Sequence, residues 1–284
     1  MILTLTIAAS IYYFCLLDSR LSITPDGGYY LAAGRGMHVP RPYALRFLAT
    51  LLPSVMAWRI MHMVSYGILT VMSHLFAEMH GVNGTIVATA LLCLPTLRQS
   101  VSWPVLLDVP SLAWIATAAV CGANSPIVAV LMIGFGWLVH ERASAWSALY
   151  LLGTVDTVFI AAAFLFALMI WLHLHEVTHP HPDEQRIDWL REPMKAAIAK
   201  HRPTLHDWRV WIYPLGGSAL GILWANPVAL VAIAFGYANC IIAQDRARVF
   251  APAMLYLTVG ACAVAGNFAI ALPIFNHFIH NTEV

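Results

Sequence analysis

The sequence predicts an all-α protein, a polytopic bundle of transmembrane helices, on three observations. Sixty per cent of the 284 residues are apolar. Only ten per cent are charged, where a soluble domain carries roughly a quarter, so the water-facing surface that a soluble chain needs is missing. Mean hydropathy is +0.74, and the apolar residues gather in stretches that meet or approach the ~20 residues a helix needs to cross ~30 Å of hydrocarbon.

Taken in order, the first apolar segment runs from Ile2 to Leu17. It lacks the positively charged start and small-residue cleavage site of a signal peptide, so it is expected as an uncleaved first helix. Residues 18–56 then form a first external loop, rich in Gly, Pro, Tyr and Arg, with a short interfacial helix at its end. Pro53 and Arg59 mark the passage into a span at Ala57–Met79. Further candidate spans are Thr85–Thr96, Val105–Cys121, Ile127–Val139, Leu149–Leu172, Val210–Leu223, Pro227–Ile242 and Ala253–Ile274, for about eight or nine crossings. Three are short, which predicts broken or tilted helices. Residues 173–209 form the one substantial polar insertion, where Asp188–His201 has the make-up of an amphipathic surface helix. No internal repeat or low-complexity tract divides the chain, so residues 1–284 are a single transmembrane domain. Basic residues concentrate in the first loop and in the insertion. Span parity sets those on opposite sides, so the charge rule leaves orientation open.

Fifteen basic and 14 acidic residues nearly cancel. That excludes nucleic acid as a partner, since phosphate neutralisation calls for a basic face. The five cysteines (Cys15, Cys93, Cys121, Cys240 and Cys262) lie in or beside apolar stretches without CxxC spacing and read as packing residues. Ten tryptophans near span ends fit an aromatic belt, and Gly216, Gly217 and Gly221 fit close helix packing.

Charge at bilayer depth costs at least about 2.5 kcal/mol per group, so charged residues beside spans are the candidates for function. Four places carry them. The first loop holds Asp18, Asp26, Tyr29, Tyr30, Arg35, Arg41 and Arg46. Its Pro25-Asp26-Gly27-Gly28 run reads as a turn that presents a carboxylate at the mouth of the bundle, with a short helix from Tyr29 to near Gly34. Asp108 lies just inside an apolar stretch, where it needs a cavity, a cation or a helix N-terminus. His140-Glu141-Arg142 closes one span, and Gln244-Asp245-Arg246-Ala247-Arg248 joins two others. Singly, each is equally well a solvated loop, a capping acid or an interfacial ion pair.

Their order along the chain resembles the GT-C class of membrane glycosyltransferases. More narrowly, it is similar to small bacterial and phage-borne members in which Asp-x-x-Tyr-Tyr precedes Pro-Tyr/Phe-x-x-Arg. The matching pieces are Asp26-Gly27-Gly28-Tyr29-Tyr30, Pro42-Tyr43-Ala44-Leu45-Arg46, Asp108-Val109-Pro110, His140-Glu141 and Asp245-Arg246-Ala247-Arg248. The resemblance implies a GT-C-like bundle that moves a sugar from a polyprenyl-phosphate carrier to a glycan or other hydroxyl acceptor at the outer membrane face. It implies a multi-pass protein of the bacterial inner membrane, with the lipid bilayer and the lipid-linked donor as partners. By position, Asp26 would be the general base on the acceptor hydroxyl, and Arg46, Arg246 and Arg248 would take up the charge of the leaving phosphate. Tyr29, Tyr30, Asp108, Glu141 and Asp245 would line the cavity or bind acceptor. No cofactor is called for, and a divalent metal stays open.

Two other readings follow from the same residues. In a small transporter or flippase, Asp108, Glu141 and Asp245 would form a proton or ion path at the midplane. In a membrane metalloprotease, His175-Glu176-Val177-Thr178-His179 would supply the His-Glu-x-x-His letters, with His175 and His179 on a metal. Pro180 and Pro182 leave that motif little helix, and a solvated His-rich loop is the simpler account.

Overall fold

A computed structural model describes residues 1–18, 23, 25–37, 47–152, 154–178, 213–224, 226–242 and 251–278. Among them the chain is helical and forms no strand. The first helices are α1 (Ile2–Asp18), α2 (Pro25–Gly34), α3 (Phe47–Thr50) and α4 (Val55–Met79). Then come α5 (Gly84–Leu92), α6 (Pro95–Ser102), α7 (Asp108–Cys121), α8 (Pro126–Val139), α9 (Glu141–Leu151) and α10 (Thr157–Thr178). A 3-10 segment (Tyr213–Leu223), α11 (Pro227–Ile242) and α12 (Met254–Ala265) follow, and Gly266–Ala271 and Leu272–Phe278 complete the described chain.

Local sequence accounts for where these helices start and stop. Ser54 caps α4 by accepting from Ala57 N at 3.2 Å, and Asn83 caps α5 by accepting from Ile86 N at 3.1 Å. Pro95 and Pro126 occupy the first turns of α6 and α8, where the missing N–H costs nothing. Gly81 follows α4 at φ 70°, and Gly266 closes α12 at φ 53°, both in the left-handed region that glycine enters without strain.

Several boundaries differ from the sequence reading. Pro25-Asp26-Gly27-Gly28 is the first turn of α2 and not a turn before it. Pro and Asp both suit that position, one by its fixed φ and the other by the helix dipole. The stretch Leu149–Leu172 is not one helix. Helix α9 ends at Leu151 and α10 begins at Thr157, with Asp156 starting it by accepting from Val158 N at 3.0 Å. The stretch Ala253–Ile274 bends at Gly266, and the one read from Val105 begins at Asp108. The polar insertion beyond Thr178, including Asp188–His201, lies outside the described residues.

Two helical runs are long and apolar enough to cross a membrane, Val55–Met79 with 25 residues and Ala251–His277 with 27. Ile2–Leu17, Pro126–Val139 and Thr157–Met169 are apolar but shorter. The described residues therefore supply two such runs against the eight or nine expected.

Helix α4 is central. It packs on α7 and α5, while α7 continues onto α9 and α8, and α10 rests on α8. Helix α1 runs antiparallel to α4, with Thr4 meeting His74 at 3.2 Å and Tyr12 meeting His62 at 3.4 Å. The face that α4 buries carries His62, Ser65, Thr70 and Ser73, while Met56, Ile60, Met63, Val64 and Ile68 are exposed. That is the reverse of a helix packed in water.

Candidate functional site

Three helix N-termini meet at one end of the bundle. Gly27, in the first turn of α2, lies so close to the segment before α7 that a Cβ there would sit 2.9 Å from the Val105 carbonyl oxygen. Tyr30, Leu31, Trp58 and Val105–Leu107 form the small core beneath this contact. The Tyr30 ring stacks on Trp58 at 5.7 Å, and Trp58 Nε1 donates to Leu52 O at 3.0 Å. The second N-terminus is that of α7, whose first residue is Asp108. The third is α9, which His140 caps by accepting from Arg142 N through Nδ1 at 3.1 Å.

Arg142 and Asp108 tie the second and third together. Arg142 Nη2 donates to Asp108 Oδ1 at 2.6 Å. The two side chains are 21% and 7% exposed, so the carboxylate is the deeper partner. Asp108 is thus both a helix N-terminal acid and one half of a buried ion pair. Each role offsets part of the cost of removing the carboxylate from water.

A second group of buried polar side chains lies in the core. His62 is 1% exposed, on the helix that packs against the one Asp108 begins. Tyr12 Oη lies 3.4 Å from His62 Nδ1, and the Tyr12 ring meets Tyr66 edge-on at 4.9 Å. His62 Nε2 and Tyr66 Oη are both buried and have no hydrogen-bond partner among the described residues. Buried polar atoms of this kind are rare and point to a function or to a bound small species.

Of the residues singled out from the sequence, Asp26 and Glu141 are placed by backbone alone. Both stand in the first turns of the converging helices, α2 and α9. Tyr30 is buried and Tyr29 half-buried in the small core. Arg46, Asp245, Arg246, Arg248 and His179 lie outside the described residues. His175 and Glu176 fall in the last turn of α10 by backbone, and no cluster of metal-ligating side chains occurs among the described residues.

Sequence reading missed Arg142 as the partner of Asp108, and missed the Tyr12–His62–Tyr66 group. The first is a contact across 34 residues, with no local signal. The second had one, since Trp58, His62 and Tyr66 recur every four residues on one face of an apolar helix.

No family model, curated protein or solved structure matches the chain.

Proposed function

We propose that the chain is a multi-pass membrane glycosyltransferase of the GT-C type, moving a sugar from a polyprenyl-phosphate carrier to a hydroxyl acceptor at the outer membrane face. The observation that carries the reading is the meeting of the N-termini of α7 and α9 at the Asp108–Arg142 pair, with the first turn of α2 against Val105 just before α7. Positive helix ends and a guanidinium are what a leaving phosphate requires. Asp26, in the first turn of α2, stands at the same end of the bundle. There it would act as general base on the acceptor. Arg46, Arg246 and Arg248 remain the further cations of the proposal, and Asp245 a cavity acid.

Two features support the lipid setting. The exposed face of α4 is more apolar than its buried face, as expected of a helix solvated by hydrocarbon that keeps its polar groups inside. An apolar groove of about 420 Å³ between α1 and α4 is lined by Leu5, Met63, Ile68 and Met72 among others. Its chemistry suits an isoprenoid chain.

The test is turnover of polyprenyl-phosphate sugars by purified protein, wild type beside Asp26→Asn. Turnover that the substitution abolishes while donor binding persists supports both the reaction and the base. A wild-type protein that neither binds nor consumes such donors sinks the reading. The buried His62, whose Nε2 has no hydrogen-bond partner among the described residues, favours a second reading, a proton-coupled transporter, which pH-gradient-driven uptake in proteoliposomes would support.

A further inference from the structure

Helices α8 and α10 stand side by side and carry apolar outer stripes. Ile127, Leu131 and Phe135 are exposed on α8, and Val158, Leu165 and Met169 on α10. The two run parallel. Helix α9 folds back on α8, where a Cβ at Gly136 would meet the Ser144 backbone, and α10 reverses direction again. The Phe166 ring lies where a Cβ at Gly134 would be, and Phe135 meets Phe166 edge-on at 5.4 Å. Nearer the start of both helices, Ala129 shares a core with Ile160.

The offset of 32 between Gly134 and Phe166 (166 − 134) sets Asn124 level with Asp156, and Glu141 level with His173. Those residues are the polar limits of the two helices, so the limits coincide at both ends. Sixteen residues lie between them on each helix, 125–140 and 157–172, which at ~1.5 Å each span ~24 Å. The apolar run on α8 is shorter still, Pro126–Val139. A bilayer core is ~30 Å thick. Helix α4, with 25 residues, reaches ~37 Å and crosses it in full.

A short apolar face is met by snorkelling side chains, by a second copy of the chain or by thinning of the bilayer. Snorkelling needs a long aliphatic stem, which Asn124, Asp156, Glu141 and His173 lack. Asn124 is also turned back to Val120 O at 2.9 Å, and Asp156 to Val158 N at 3.0 Å. Helix association in lipid favours small residues at the contact, and Gly134 and Gly136 of α8 already face Phe166 and Ser144. We propose that the α8–α10 face thins the bilayer against it, taking as its partner lipids with shorter chains than those that fit α4. The inference rests on the reading of the chain as a membrane protein and not on glycosyl transfer.

The experiment reconstitutes the full chain in phosphatidylcholine vesicles with monounsaturated chains of about 14, 18 and 22 carbons, and reads the thermal unfolding midpoint in each. The midpoint should be highest in the shortest lipid and lower by at least about 5 °C in the longest. Asn124→Leu/Asp156→Leu removes one polar limit from both helices and should narrow that gap by about half. Loss of the Asp156–Val158 bond lowers every midpoint alike and leaves the gap readable. A carbonate wash separates the two ways of failing. A chain stripped from the vesicles overturns the membrane reading together with this inference. A retained chain whose midpoint is flat across the series, or rises with chain length, overturns the inference alone. So does a folded double variant with the wild-type gap, because another part of the bundle then sets the match. If the double variant does not fold, the wild-type series decides by itself.

Discussion

Asn276 closes two helix breaks at once, and removing it should be among the most costly single changes in the molecule. The residue is fully buried in the short helix Leu272–Phe278. Its Oδ1 accepts from Gly217 N at 2.8 Å, and its Nδ2 donates to Ala90 O at 2.8 Å. Both partners are backbone groups at irregular points of their helices. Gly217 follows Gly216, whose φ of 54° and ψ of −143° interrupt the 3-10 segment. Ala90 lies in the last turn of α5, where Cys93 N turns to Thr89 O and Leu94 N to Leu91 O, so its carbonyl is passed over. Asn276→Ala strands both. At about 1–3 kcal/mol for each buried group left unsatisfied, and with incomplete additivity, the expected loss is about 3 kcal/mol. Asn276→Asp keeps the acceptor for Gly217 but turns a carboxylate oxygen toward the Ala90 carbonyl, and should cost at least as much. The assay is reversible unfolding in mixed micelles, with Phe275→Ala as control, since that neighbouring ring is 61% exposed. If Asn276→Ala falls within about 0.5 kcal/mol of the control, a surface-like effect, the two backbone groups have other partners and the reasoning fails.

Two paired substitutions test the close approaches. Gly27→Ala would push a methyl against the Val105 carbonyl and lift α2 off the segment before Asp108, whereas a Cβ at Gly28 meets nothing within 4 Å. If the proposed glycosyl transfer is the activity, turnover of the polyprenyl-phosphate donor should fall at least tenfold for the first, a barrier change of only about 1.4 kcal/mol, and stay unchanged for the second. Gly221→Ala would drive its methyl into the Leu257 backbone, at a cost of about 1–3 kcal/mol in thermal unfolding. Gly67→Ala, in the middle of α4 with open space around it, should stabilise by about 0.5–1 kcal/mol.

The all-helical class was legible because it rests on composition, which no tertiary contact alters. Helix α4 was legible to within two residues, since Pro53 stands just before a long, mainly apolar run and the span expected at Ala57–Met79 lies within Val55–Met79. The joints inside apolar stretches were not. Leu149–Leu172 reads as continuous because Leu152 and Val155 keep the joint between the two helices apolar on either side of Gly153-Thr154, and Asp156 marks the restart. Asp108 could be recognised as needing a partner, for a lone acid in an apolar stretch is an energetic debt. Its partner could not be identified, because Arg142 is one arginine among many and the choice is made by the packing of α7 on α9.

The interior polar groups also separate into two kinds, and the division bears on function. Thr70, Ser73, Ser111, Thr117, Ser147 and Thr258 each donate to the carbonyl four residues earlier, at 2.5–2.8 Å. Such a side chain carries its partner with it on its own helix, so burying it in a bundle creates no demand on the rest of the molecule. His62 and Tyr66 have no such local answer. An imidazole cannot be satisfied by the preceding turn of its own helix as a hydroxyl can, and Tyr66 Oη extends well beyond it. Among the described residues, Tyr12 from another helix is the polar side chain that meets both. A core selected for stability alone would fill these positions with Leu or Phe, as it does at Leu69 and Phe76 on the same face. The two positions that depart from that rule are the ones that lie against Tyr12. The Tyr12–His62–Tyr66 group and the Asp108–Arg142 pair are therefore the places where burial of polar atoms is answered from other helices, and they are where function is to be sought.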